Sequence, residues 1–182
     1  WSVHNDVALD STAIWTHVAS GTKGIHDRAG RLAPVLLIGL PLAVVGSSIT
    51  VTISGDWRLL PAVLGMNLAV LLVAAGVSSV FSAMMPYPAT RPGDSPFAQP
   101  AVQGSGAGLA QTLSMLFALL FSLPPVVLSV YAIVDPTLGL NLVALGLGVA
   151  WGLLILGAGI LIGGKIFDRG APELIAVTQT FD

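Results

Sequence analysis

The sequence contains no cysteine and few charged residues. Of its 182 residues, 7 are Lys or Arg and 9 are Asp or Glu, which together make up 9% of the chain; soluble domains average about 25%. The absence of cysteine excludes disulfides, iron–sulfur clusters, thiolate zinc sites and cysteine nucleophiles. The shortage of charge argues against an ordinary soluble domain, because too few charged side chains are available to cover its surface.

Positive charge is also scattered along the chain. The formal net charge is -2, and no basic cluster of the kind that binds phosphates is present, so we expect no nucleic-acid partner. Apolar side chains are abundant instead: they make up 54% of the residues and give a mean hydropathy of +0.89. This composition predicts an integral membrane protein in contact with the lipid bilayer.

Four apolar stretches are long enough to cross a bilayer, which takes roughly 20 helical residues. None of them contains Asp, Glu, Lys, Arg or His, so none carries the penalty of a charge inside the membrane. The connections at 54–58 and 135–137 are too short for anything but tight turns. We therefore predict an all-α membrane bundle of four helices in antiparallel hairpins, with spans at about 32–53, 59–84, 109–134 and 138–164.

The basic residues predict the orientation of these spans, because Lys and Arg near span ends stay in the cytoplasm. Only Arg58 lies on the side opposite to the others. We therefore expect an inner-membrane protein with both ends of this chain cytoplasmic, including the tail 165–182. The six residues on the predicted cytoplasmic side are Lys23, Arg28, Arg31, Arg91, Lys165 and Arg169.

Residues 1–30 are more polar than the spans and are predicted to lie on the cytoplasmic membrane surface. Between residues 5 and 20, apolar side chains recur at helical spacing on one face, which is typical of an amphipathic interfacial helix. Arg28 and Arg31 are predicted to anchor the first span at the lipid headgroups. The apolar face of the predicted helix consists of Val7, Ile14, Trp15 and Val18.

The loop at 85–107 holds five of the twelve prolines and ends in a glycine-rich segment. Prolines at this density exclude a long regular helix. The loop is either a plain extended linker or a segment braced against another cytoplasmic surface. Prolines inside spans one and three are either fixed kinks or hinges, and those of span three also allow a broken or re-entrant helix. The span prolines are Pro34, Pro41, Pro124 and Pro125.

No constellation in the sequence predicts catalysis, a metal or a cofactor. The spans supply no acid, base or nucleophile. The glycines at 104–108 lack the Lys-Ser/Thr pair of a phosphate-binding loop. Histidine and aspartate also gather near the amino terminus, but their spacing matches no common metal-ligand pattern; these residues are His4, Asp6, Asp10, His17, His26 and Asp27.

Span four carries a stripe of small residues at helical spacing. Such a stripe lets two helix backbones approach closely, which drives helix association in lipid. The partner is either another helix of the same chain or a second subunit. The stripe consists of Ala144, Gly148, Gly152, Gly159 and Gly163.

The segment from Asn5 to Trp15, followed by Arg28 and Arg31 before a span, resembles the cytoplasmic segment of permeases in exporter-class ATP-binding-cassette transporters. Those permeases typically show an Asn, a short apolar stretch, Asp-Gly and an aromatic residue; here Ser11 stands where Gly is usual. The proline-rich loop at 86–98 and its glycine-rich exit are similar to those of actinobacterial members of the group. The resemblance covers most of the chain.

The resemblance implies the carboxy-terminal part of a permease whose other spans lie upstream. Such permeases work as homodimers or with another permease half, and a separate ATPase subunit moves them, so the chain itself is not expected to be an enzyme. A non-transporting membrane scaffold that acts through helix packing is the alternative. The residues expected to couple to the ATPase are Asp10, Trp15, His26, Arg31, Tyr87 and Arg91.

Overall fold

A computed structural model of the chain describes residues 3–10, 14–87 and 105–179. These residues are helical and form no strand. Four of the helices are long and apolar enough to cross a membrane, which confirms the prediction of an all-helical fold with four long apolar helices. In chain order the elements are α1 (Asp6–Leu9), α2 (Ile14–Ala19), α3 (Gly24–Ser54), a short 3-10 helix (Trp57–Leu59), α4 (Leu60–Met84), α5 (Ser105–Val134) and α6 (Leu138–Gln179).

Two of the long helices extend well beyond the predicted spans. Helix α3 begins at Gly24 rather than near residue 32, so that the end of the predicted surface segment forms its first two turns. Helix α6 continues to Gln179, whereas a separate tail was predicted from residue 165. The apolar pattern marks only the part of a helix that contacts apolar surroundings, and both extensions are more polar than the spans.

The single amphipathic helix predicted over residues 5–20 is not found. Helix α1 ends at Leu9, Asp10 forms a turn, and α2 is a separate short helix. Val7, which was expected to face lipid, is fully buried and packs against Phe167 of α6. The first residues therefore fold onto the bundle, because the extended α6 offers them an apolar protein surface.

The turn between α3 and α4 is closed by local hydrogen bonds. Gly55 has φ 76°, a left-handed conformation that glycine adopts without strain. Its N–H lies 3.0 Å from the carbonyl oxygen of Val51. The next residue, Asp56, accepts a hydrogen bond of 2.9 Å from the backbone N–H of Arg58 and so caps the 3-10 helix.

Helix α4 lies at the centre of the bundle, and α6 packs directly against it. A Cβ atom built on Gly148 would lie 2.6 Å from the carbonyl oxygen of Gly65, and one on Gly159 would overlap that of Gly76. Residue numbers rise together along this contact, so α4 and α6 run in the same direction. The small-residue stripe predicted in span four thus faces α4 of the same chain.

Helix α3 packs against both α4 and α6. Asn67 of α4 donates a hydrogen bond of 2.9 Å to Ser47 of α3, and a Cβ atom on Gly39 would lie 2.8 Å from Leu71. Large apolar side chains on α3, α5 and α6 point away from the bundle; Leu37, for example, is 75% exposed. These outward faces are the surface that a bilayer would cover.

Helix α5 runs unbroken through its two prolines, so the broken or re-entrant segment considered from the sequence is absent. Pro125 has no N–H to donate to the carbonyl oxygen of Phe121, four residues earlier. The indole Nε1 of Trp151 in α6 donates to that oxygen at 2.7 Å. A side chain of the neighbouring helix thus supplies the hydrogen bond that proline removes.

Candidate functional site

The first two turns of α3 place three charged residues at one end of the bundle. Asp27 and Arg31 are separated by one turn and share a face of the helix. Asp27 Oδ2 accepts a hydrogen bond of 2.9 Å from Arg28 Nε and one of 3.0 Å from Arg31 Nε. Both arginines thus converge on a single carboxylate.

The amino-terminal segment adds two more carboxylates to this group. Arg28 Nη1 lies 3.4 Å from Asp6 Oδ1, and Arg31 Nη2 donates to Asp10. Arg31 Nη1 also donates to the backbone carbonyl oxygen of Asp6 at 3.2 Å. We call the five residues Asp6, Asp10, Asp27, Arg28 and Arg31 the ion-pair cluster.

The centre of the ion-pair cluster is shielded from solvent. Arg28 is 1% exposed and Asp27 is 4% exposed. Buried charges are tolerated only when paired and hydrogen-bonded, and here both conditions hold. The guanidinium of Arg28 also lies 5.4 Å from the ring centroid of Phe167, within range of a cation–π contact.

This geometry corrects the role predicted for the two arginines. Arg28 and Arg31 were expected to anchor the first span at lipid headgroups. Arg28 is instead enclosed by protein, and Arg31 is held by three carboxylates. The reason is that the amino-terminal segment folds back and brings carboxylates within reach of both guanidinium groups.

The ion-pair cluster holds one more negative than positive charge. Three carboxylates face two guanidinium groups. The second oxygen of Asp27, Oδ1, lies 3.0 Å from Nδ1 of His17 in α2, whose side chain is 43% exposed.

Helix α4 holds the amino-terminal segment through polar side chains. Ser82 Oγ donates to Asp6 Oδ1 and accepts a hydrogen bond of 3.2 Å from the backbone N–H of Val7. Asn5 and Tyr87 bond reciprocally: the Asn5 amide donates to the Tyr87 carbonyl oxygen at 2.9 Å, and the Tyr87 N–H donates to Asn5 Oδ1 at 3.0 Å. The Tyr87 hydroxyl contacts the His4 ring, and burial raises the pKa of this hydroxyl.

The part of α6 beyond the predicted span supplies further contacts to the site. Phe167 is buried against Val7, with Val18 of α2 packed beside it. Asp168 Oδ1 accepts a hydrogen bond of 2.6 Å from the backbone N–H of Gly24, at the start of α3. The amino-terminal segment, α3, α4 and α6 are therefore joined at one place.

The structure brings together only some of the predicted coupling residues. Asp10 and Arg31 belong to the ion-pair cluster, and Tyr87 adjoins it through Asn5. His26 lies on the exposed side of the first turn of α3. Trp15 belongs to α2, and Arg91 lies outside the described residues.

Sequence reasoning missed the most buried members of the site. Asp6 and Arg28 lay within the segments that resemble exporter permeases, but taken singly Asp6 and Asp27 were considered only as metal ligands and Arg28 only as a lipid anchor. The spacing of Asp27 and Arg31 was a usable signal, since oppositely charged residues four apart on a helix commonly pair. For Ser82 and Phe167 the sequence held no signal, because their role depends on which segment packs against them.

The arrangement suits mechanical linkage better than chemistry. Among the described residues, no group of three or more His, Asp or Glu side chains is placed to hold a metal ion. The carboxylates at the site are engaged by arginine or serine. Such a network connects a surface segment firmly to the helices behind it.

Comparison of the chain with protein-family models, with curated proteins and with solved structures finds no match.

Proposed function

We propose that the chain is a membrane-spanning permease subunit of an ATP-driven exporter, moved by a separate ATPase subunit. The observation that supports this is the ion-pair cluster. It joins residues 6–10 to α3 by three ion pairs, Arg28–Asp6, Arg31–Asp6 and Arg31–Asp10. A movement of the amino-terminal segment would therefore be transmitted directly to α3.

The residues that meet here are also the ones on which the resemblance to exporter permeases rests. Asp6, Asp10, Arg28 and Arg31 lie up to 25 positions apart in sequence and take part in one network of ion pairs, and Asn5 beside them bonds to Tyr87. In the proposed protein this network lies on the cytoplasmic side, where the ATPase docks. Both ends of this chain would then be cytoplasmic, in the inner membrane, with the spans arranged as hairpins.

The proposed mechanism places all nucleotide chemistry in the partner. ATP binding and hydrolysis there would tilt the helices of this chain against those of a second permease subunit, either an identical copy or another permease half. The spans carry no charged residue, which suits an apolar or amphiphilic cargo better than a relay of ions.

Copurification tests this proposal. We expect the affinity-tagged full chain, extracted in mild detergent from its own host, to retain a stoichiometric subunit that contains a phosphate-binding loop and hydrolyses ATP. The Arg31→Gln variant frees Asp10 from α3, so the copurifying ATPase activity should fall several-fold. The Arg58→Gln variant is the matched control, because it removes an exposed arginine from the opposite end of the bundle.

Two results would contradict the permease proposal. One is a stable purified complex that contains no nucleotide-binding protein. The other is an equal loss of ATPase activity in the Arg31→Gln and Arg58→Gln variants, which would remove the link to the ion-pair cluster.

The scaffold alternative relied on the small-residue stripe of α6 as a contact between molecules. Gly148, Gly159 and Gly163 instead face backbone atoms of α4. A scaffold that used this stripe would first have to displace α4, so we retain the permease as the proposed function.

A further inference from the structure

Three exposed cationic side chains surround the place where α3 and α6 cross. Gly24 and Gly164 are in backbone contact there, since a Cβ atom on either would overlap the other segment. Lys23 directly precedes Gly24, and Lys165 directly follows Gly164. Arg169 follows Asp168, the residue that binds the Gly24 N–H at 2.6 Å. We call Lys23, Lys165 and Arg169 the basic junction.

The crossing fixes these three residues relative to one another. Each is the chain neighbour of a residue that makes the crossing contact, so the side chains start from a common, rigid backbone. All three are exposed, and they appear in none of the ion pairs among the described residues. Their charge is therefore available to a ligand.

The basic junction differs from the other cations at this end of the bundle. Arg28 and Arg31 are already neutralised by Asp6, Asp10 and Asp27. Among residues whose side chains the structure describes, the junction has three positive charges beside one carboxylate, Asp168, which is engaged with the start of α3. Its local charge is thus positive although the whole chain has a net charge of -2.

An apolar surface begins immediately beside the basic junction. Leu161 and Ile162 of α6 are 53% and 50% exposed. Leu161, Lys165 and Arg169 follow each other at steps of four and so lie on one helix face, which changes from apolar to cationic. A ligand that fits this face has an anionic head and an apolar tail.

We propose that the basic junction binds an anionic phospholipid of the adjacent leaflet. Its phosphate would contact the two lysines and Arg169, whose planar guanidinium suits phosphate oxygens. Its acyl chains would lie along Leu161 and Ile162. The proposal requires only that the four helices cross a bilayer, and it stands or falls separately from the permease proposal.

Lipid retention in native mass spectrometry tests the site. The purified full chain in detergent is titrated with dioleoyl phosphatidylglycerol and with dioleoyl phosphatidylcholine, which have the same acyl chains. We expect preferential retention of phosphatidylglycerol. Substitution of Lys165 or Arg169 by Gln should weaken that retention about fivefold each, the effect expected for one cation near an anionic surface.

The Arg58→Gln variant serves as the charge-matched control and should retain phosphatidylglycerol as the unmodified chain does. Because Lys165 and Arg169 are exposed, the variants should keep the unmodified melting temperature in detergent without added lipid. Equal retention of the two lipids would overturn the proposal, as would an equal loss in the Arg58→Gln variant. Full competition by soluble glycerol phosphate would assign the site to a free phosphate compound instead.

Discussion

At the scale of single residues, Asp27 and Arg28 form an ion pair whose two side chains are both shielded from solvent. Both side chains are almost fully buried, and Asp27 Oδ2 accepts hydrogen bonds from Arg28 and Arg31, so both guanidinium groups depend on the Asp27 carboxylate. Removing one partner of a buried pair leaves an isolated charge, which usually costs more than the pair contributes.

We therefore predict that Asp27→Asn lowers the free energy of unfolding by about 3 kcal/mol, because Arg28 and Arg31 lose the buried carboxylate that they share. Unfolding in mixed detergent micelles, followed by circular dichroism, measures the change. Asp135→Asn is the control: Asp135 is exposed in the connection between α5 and α6, and its substitution should change stability by less than about 0.5 kcal/mol. Similar losses in the two variants would show that the buried pair has no special role.

A second prediction at this scale concerns the hydrogen bond that replaces the one lost at Pro125. Trp151→Phe removes the indole donor from the Phe121 carbonyl oxygen and should cost about 1 kcal/mol. In a Pro125→Ala background the new backbone N–H can bond to that oxygen, so Trp151→Phe should then cost much less. A double-mutant cycle in detergent measures the coupling, and additive effects of the two substitutions would contradict this explanation.

At the scale of helices, the contact between α4 and α6 depends on glycine. Gly159 lies against the backbone of Gly76, and Gly163 lies against Ser79, where a Cβ atom would be 2.7 Å from the carbonyl oxygen. Backbones this close gain dispersion energy along their length, which is the main source of helix association in lipid.

Gly159→Ala should force α4 and α6 apart and lower the free energy of unfolding by about 2 kcal/mol, as overpacking typically does. Gly157→Ala on the same helix is the matched control, since a Cβ atom there meets nothing within 4 Å. It should be neutral or slightly stabilising, because alanine favours helix more than glycine. Thermal unfolding in detergent distinguishes the two, and equal melting temperatures would contradict the packing shown by the structure.

At the scale of the whole molecule, the ion-pair cluster and Arg58 lie at opposite ends of the bundle. Since the chain has no cysteine, a single introduced cysteine reports its side of the membrane without background. We predict that an impermeant maleimide added to intact spheroplasts labels the Arg58→Cys variant, whereas the Lys165→Cys variant is labelled only after lysis. Labelling of both from the same side would exclude the proposed topology.

The sequence alone determined the number of long apolar helices and their approximate centres. The length of an uncharged apolar stretch can be read directly from the local sequence, and the bilayer imposes the same minimum length on every span. It also identified the face of α6 that packs closely, since Gly148 and Gly159 recur at helical spacing. It could not identify the partner of that face, because small residues fit any neighbouring backbone equally well.

Only the tertiary structure decided which ion pairs the charged residues near the amino terminus form. Arg28 reaches Asp6 across 22 positions, and Arg31 reaches Asp10 across 21; no local pattern encodes such contacts. They form because Val7 finds an apolar partner, Phe167, on the part of α6 beyond the predicted span. Burial of that apolar pair brings the carboxylates to the arginines, and so makes an ion-pair cluster of residues that sequence patterns placed at the membrane surface.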